Sequence, residues 1–140
     1  MKFYPIFALL FVCVCAIGCG NNQRLSGKVT FSEDGSPLTV GVVCFENTKT
    51  GSLGRGTINT NGTYVVGFES DKNGIPKGTY KVFITNAMQE KGLDQKTGMP
   101  ITEPLIDPKY SNANTSGVTF NADGKTKTLN ITVEHPPAKK

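Results

Sequence analysis

Tryptophan is absent from this chain, and histidine occurs once, at His135. A nucleophile that needs an imidazole base therefore has a single candidate partner. It stands beside Pro136-Pro137 near the C-terminus, where a surface residue with no chemical task is the expectation. A tetrahedral zinc site needs four ligands, and one histidine with scattered cysteines does not supply them. No metal and no cofactor are expected. Asp71-Lys72-Asn73-Gly74 hints at a calcium loop, but its twelfth position is Val82 rather than Glu. No glycine motif of the phosphate-cradling kind occurs. Asp34, Glu46, Glu69, Asp71, Asp94, Glu103 and Asp107 fall mostly in turns or at strand ends, where solvated acids are ordinary. No catalytic residue is assigned, and the chain is read as a non-enzyme.

Other absences narrow the partner. Arginine does not cluster, and aromatic and basic residues do not interleave, so nucleic acid is excluded. The net charge is +4, with lysines spread along the chain, which reads as solvation rather than recognition. Tyr4, Tyr64, Tyr80 and Tyr110 are the only tyrosines, so ring stacking on a sugar is poorly supplied. No window carries a convincing helical period, although 87–98 has room for one helical turn.

Cysteine is unevenly placed. Cys13, Cys15 and Cys19 lie within seven residues, and Cys44 stands alone. Lys2 precedes a run of 15 mostly apolar residues, Phe3 to Ile17. A membrane-spanning helix wants about 20 such residues, whereas the apolar part of a secretory leader is this length. The run ends in Ala16-Ile17-Gly18-Cys19, which resembles the bacterial lipobox, with Ala16 where the pattern prefers Leu. That resemblance implies cleavage before Cys19 and a diacylglyceryl group on its sulfur. Acyl chains anchor durably when two or more are present, each buried methylene contributing about 0.8 kcal/mol. The expected organisation is a signal peptide over 1–18, a lipidated tether over 19–24, a β-domain over 25–134 and a flexible tail over 135–140. The expected location is the cell membrane or outer membrane, facing the periplasm or the exterior. Gly20 after the cysteine favours the outer membrane by analogy with enterobacterial sorting. Cys44, in the apolar run "VGVVCFE", reads as a buried and inert thiol.

The remaining chain is punctuated like a β-protein. In 25–32, Leu25, Val29 and Phe31 share one face, with Gly27 among them marking a bulge or close packing. Strands are expected over 40–46, 53–59, 63–68, 78–86, 116–122 and 127–134. Asn61-Gly62 is the strongest hairpin signal, joining 53–59 to 63–68. Asp123-Gly124 is expected to join the last two strands as a second hairpin. The motif Gly-Thr-Tyr-X-Val occurs at 62–66 and again at 78–82, which suggests one local solution used twice: a turn glycine, then a tyrosine with its ring in the core and its hydroxyl at a wet edge. Seven strands with turns at such spacing predict an all-β, antiparallel sandwich. The connection 87–114 is long and holds Met88, Leu93, Met99, Leu105 and Ile106. It is expected to drape over a sheet edge, or else to form a partner surface together with Lys109 and Tyr110.

Taken in order, "LSGKVTFSEDGSPLTVGVVCFEN", "GTINTNGTYVV", "IPKGTYKVFI" and "DPKYSNANTSGVTF" resemble the carboxypeptidase regulatory-like or transthyretin-like domain, in particular the small lipoproteins of planctomycete-type bacteria that carry one such domain. The resemblance covers about 25–134. It implies a seven-stranded Greek-key sandwich serving as a structural or protein-binding module, held to a membrane through Cys19. The enzyme branch of the fold, which hydrolyses 5-hydroxyisourate, needs several histidines and a C-terminal Tyr-Arg-Gly-Ser that this chain lacks. The alternative is a solute- or glycan-binding lipoprotein serving a transporter or surface enzyme.

Overall fold

The computed structural model describes residues 22–68 and 74–138. The expected leader and Cys19 lie outside the described residues, as do Glu69, Asp71 and Lys72.

Within them the chain is all-β. The strands are β1 Asn22–Gln23, β2 Leu25–Phe31, β3 Val42–Asn47, β4 Leu53–Thr57, β5 Thr63–Val66, β6 Ile75–Pro76, β7 Gly78–Thr85, β8 Met88–Leu93, β9 Pro100–Pro104, β10 Val118–Ala122 and β11 Ile131–Val133. A single 3₁₀ turn, Pro108–Ser111, interrupts them. Two sheets build the body, in the orders β10-β7-β3-β4 and β11-β2-β5. Arg55 and Gly67 join the β4 side to the β5 side, each donating its N–H to the other's carbonyl at 2.8 Å.

Alternation explains which side chains meet. Tyr80, Val82 and Ile84 point from β7 into the core, with Val43 and Phe45 from the neighbouring β3. Leu25, Val29 and Phe31 face them from β2, and Tyr64 and Val66 from β5. The ring of Phe45 meets Tyr64, Tyr80 and Phe120 at centroid distances of 6.0–6.4 Å, tilted or edge-on, as aromatic quadrupoles prefer. Gly27 is the gap in the buried stripe of β2. A Cβ there would stand 1.8 Å from the Leu129 carbonyl oxygen and 2.8 Å from the Tyr64 hydroxyl. Close packing, rather than a bulge, is what this glycine serves.

Several expectations need correction. The sheets are not wholly antiparallel: β11 pairs with β2 in parallel. Consequently Asp123-Gly124 does not make a hairpin. Its turn carries the chain from β10 in one sheet to β11 in the other. The Asp123 carboxylate accepts the N–H groups of Lys125 and Thr126, and Gly124 takes a φ of +87°. The Asn61-Gly62 turn does form, with Gly62 N–H donating to Asn59 O at 2.8 Å. Its two arms nevertheless belong to different sheets, β4 pairing with β3 and β5 with β2. Gly56 permits this crossing, since a Cβ there would lie 2.7 Å from the Val65 carbonyl oxygen.

The segment expected to be a loop over 87–114, or to hold one helical turn, forms a β-ribbon instead. β8 pairs antiparallel with β9, with a bulge between Glu90 and Gly92. Pairing begins before Leu25, where a tether was expected: Asn22 and Gln23 pair with Pro76 and Ile75. The Gln23 side chain accepts from Gly124 N–H and donates to the Thr126 carbonyl, which docks the chain start on the β10–β11 turn. His135 is docked too. Its ring stacks on Phe31 at 3.9 Å and 9°, and its N–H donates to Glu33 Oε1 at 3.1 Å.

These contacts define two ends. The basal end gathers Asn22, the start of β7 at Gly78 and the end of β10 at Ala122. The apical end gathers Phe31, Val42, Thr85 and Val133, and the β8–β9 ribbon leaves from it just after Ala87.

Candidate functional site

Three regions hold the residues that the sequence singled out. The first is the segment from Asp107 to Ser116. Asp107 precedes the 3₁₀ turn, its carboxylate accepts the Lys109 N–H at 2.9 Å, and Pro108 occupies the first turn, where a missing N–H costs nothing. The Tyr110 ring is buried in the core cluster. Lys109 Nζ donates to Glu134 Oε2 at 2.5 Å and lies 5.0 Å from the Tyr110 ring centroid. The bond to Glu134 holds the Lys109 ammonium above its ordinary pKa, because it favours the charged form. Thr115 Oγ1 donates to the Lys109 carbonyl at 2.6 Å, and Ser116 Oγ to the Val82 carbonyl at 2.5 Å. Lys109 and Tyr110 are brought together, but Tyr110 is buried and Lys109 is tied to β11's end. They form a latch between the 3₁₀ turn and the two sheets rather than an open partner surface.

The second region surrounds Cys44. The thiol is buried on the outer side of β3, beneath an open groove of about 470 Å³ lined by Val42, Leu53, Arg55, Phe83, Thr85 and Asn86. Burial pushes the Cys44 thiol up, while Thr85 and Arg55 pull the other way. A thiol raised in this way is a poor nucleophile at neutral pH. Among the described residues no group of three or more His, Cys, Asp or Glu side chains converges as a metal site.

The third region is the β8–β9 ribbon. By its register Met88 and Leu93 share one face with Pro100 and Pro104, and Met99 stands at the tip. Leu93 is 66% exposed and Met99 68%, while Met88 and Ile101 are also exposed. Of the ribbon and its roots, only the roots Ala87, Leu105 and Ile106 reach the core. The apolar residues of the 88–104 segment therefore do not cover a sheet edge. The ribbon's tip is locally ordered: Asp94 Oδ1 accepts from Lys96 and Thr97 N–H, which holds this carboxylate below its ordinary range. Met88, Leu93 and Met99 were visible in the sequence. Ile101 was not singled out, and its signal is the alternation of Pro100, Thr102 and Pro104 around it.

The repeated Gly-Thr-Tyr motif proves structural. Tyr64 and Tyr80 are both fully buried, and their hydroxyls donate to the carbonyls of Leu129 at 2.6 Å and Pro76 at 2.8 Å. Their hydroxyls meet main chain, not a wet edge. Burial pushes the Tyr64 phenol above its ordinary range.

No family model and no curated protein matches this chain. Among solved structures it is similar to BcpA, the major pilin subunit of Bacillus cereus, at 15% identity and a TM-score of 0.46, over 83% of this chain and 30% of that one. A backbone pilin of Streptococcus pyogenes aligns at 15% identity and a TM-score of 0.37, over 85% of this chain and 28% of that one. A 9R-lipoxygenase from Cyanothece aligns at 14% identity and a TM-score of 0.39, over 85% of this chain and 17% of its own. The chain thus spans under a third of each of these structures.

Proposed function

We propose that this chain is a lipid-anchored, non-enzymatic cell-envelope protein whose β-domain serves as a protein-binding or structural module. The lipobox-like "AIGC" behind an apolar leader supports the anchor at Cys19. The observation that carries the module reading is the β8–β9 ribbon. A ribbon that displays Leu93 and Met99 to solvent leaves a β-body whose other large apolar side chains are mostly buried. Such display is what an interaction surface needs and what a purely structural connection avoids. We further infer a seven-stranded Greek-key sandwich of the transthyretin-like type, with β10-β7-β3-β4 against β11-β2-β5 and one parallel pair. The glycan-binding alternative has less support, because Tyr64, Tyr80 and Tyr110 are all buried and offer no ring to a sugar.

Two measurements test this reading in the native host. Radiolabelled palmitate should enter the wild-type protein and not Cys19→Ala; an unlabelled wild-type protein shed into the medium refutes the anchor. A photo-crosslinking residue at position 93 or 99 should trap a defined envelope partner, whereas the same probe at exposed Lys28 should not. Equal and diffuse trapping at all three positions refutes the module reading.

A further inference from the structure

The basal end carries a set of cations, of which only Lys125 has a described carboxylate nearby, that of Asp123. Arg24, Lys49, Lys77, Lys125 and Lys127 are all exposed, and none takes part in an ion pair among the described residues. The fold brings them together from four separate stretches of chain. Arg24 and Lys127 line one shallow depression with Leu25, Ser26 and Val65. Lys77 reaches over the β10–β11 turn, its Nζ 3.4 Å from where a Cβ on Gly124 would stand. Lys125 is the next residue along that turn, which Gln23 fastens to the chain start through Gly124 and Thr126. Lys49 sits in the β3–β4 turn, joined to the start of β7 by the Thr48 N–H bond to Thr79 O at 2.9 Å.

Among the described residues acids are scarce at this end. Asp123 is engaged by its own turn, and Glu46 is half-buried on β3. Glu69, Asp71 and Lys72 lie outside the described residues. The apical end is the reverse. Glu33, Asp34, Asp107 and Glu134 lie there, its cation Lys109 is already set against Glu134, and the His135 ring lies against Glu33.

We propose that this basal face docks on anionic lipid head groups and orients the domain upright on the bilayer. The inference takes from the proposed function only that a bilayer lies at the N-terminal end. Chain geometry then does the rest. Only Gly20 and Asn21 separate Cys19 from Asn22, which is already paired in β1. Three residue steps span at most about 10 Å. The Debye length at physiological ionic strength is about 8 Å, so cations held this near a charged surface are only partly screened. Lys and Arg are suited to the task because a head-group phosphate needs only a near point charge and hydrogen-bond donors. The apical ribbon, with Leu93 and Met99, would then face away from the membrane.

The test uses the full chain and vesicles of phosphatidylcholine alone or mixed with phosphatidylglycerol. An apolar N-terminal anchor favours both compositions alike, so the quantity read is the ratio between them and its salt dependence. The wild type should prefer the anionic vesicles, and the preference should fade as salt rises. Lys125→Gln with Lys127→Gln should reduce that preference on the order of tenfold, taking roughly a few-fold per cation at the surface. The charge-matched control is Lys91→Gln with Lys96→Gln, on the apical ribbon, and it should leave the preference intact. Circular dichroism of each variant reports whether the fold persists; should the basal pair unfold the protein, Arg24→Gln alone is scored by the same ratio. No preference in the wild type, an equal loss in the control, or displacement by free inorganic phosphate at vesicle-matched concentration overturns the proposal. Mass spectrometry of Cys19 separates the two readings. A missing acyl group with an intact anionic preference sinks the anchor alone, and an acylated protein with no preference sinks the docking face alone.

Discussion

At the residue scale, much of this fold depends on a place where a side chain is missing. Gly27 occupies a core-facing position of β2, and the Leu129 carbonyl fills the space a Cβ would need. Because a backbone oxygen at 1.8 Å cannot swing aside as a flexible side chain can, the two strands must separate to admit even a methyl group. Gly27→Ala is therefore expected to destabilise the domain by about 3 kcal/mol, the upper part of the range for overpacking. Thermal unfolding checks this, and a melting temperature equal to wild type would contradict it. A second residue-scale outcome concerns pH. The backbone N–H of His135 is the chief cause holding the Glu33 carboxyl below its ordinary range, with smaller help from Ser32 and the imidazole. A depressed acid stabilises the folded state above its unfolded pKa of about 4.3, and that contribution is lost as pH falls through the lower folded value. The amide proton of His135 should accordingly titrate with a midpoint below that of a free glutamate. A midpoint at the free value, or no titration, would show that the bond does not persist in solution. The sequence made Gly27 legible as a close-packing candidate because it broke an apolar stripe. It left His135 as part of a frayed tail, since stacking on Phe31 depends on a parallel pairing 102 residues distant in the chain.

At the scale of elements, the 3₁₀ latch and the β8–β9 ribbon divide the long 87–116 stretch between stability and display. Tyr110 anchors the latch in the core, whereas Lys109 and Glu134 close it in solvent. Tyr110→Ala is expected to cost about 3 kcal/mol or more, as removal of a buried aromatic ring does. Lys109→Ala should move the denaturant midpoint little, because an exposed ion pair contributes little to stability. The raised Lys109 pKa means that its contribution holds at neutral pH and fades only as pH climbs through the folded value, above about 10.4. Equal losses in the two variants would show that the ion pair, not the ring, holds the latch. Replacing 88–104 by a short Gly-Ser linker should leave the melting temperature nearly unchanged, because the ribbon's exposed side chains contribute little to the core. A large fall would return the ribbon to a covering role. Strand periods were legible in the sequence because alternation in 25–31 and 78–85 follows burial directly. Sheet membership was not. Asn61-Gly62 and Asp123-Gly124 announce turns, and a turn signal is the same whether the following strand pairs beside its predecessor or crosses to the other sheet.

At the scale of the whole molecule, charge is distributed by the fold rather than by the order of residues. Along the chain the cations look evenly sprinkled, which is why they read as solvation. Folding collects Arg24, Lys77, Lys125 and Lys127 at one end, and no local window could show it. The candidate site was legible only in part for the same reason. Leu93 and Met99 stood out as apolar residues in a turn-rich stretch, while the buried state of Tyr110 depended on the packing of its 3₁₀ turn against β7.

The parallel neighbour of β2 has a mechanical consequence. Under the proposed function, a tension applied between an anchor at Cys19 and a partner on the apical ribbon runs along the length of β2. That strand is flanked by β11 on one side and β5 on the other, so its hydrogen bonds are strained together in shear instead of being peeled one after another. Pulled in this direction, the domain would resist unravelling from its N-terminal end.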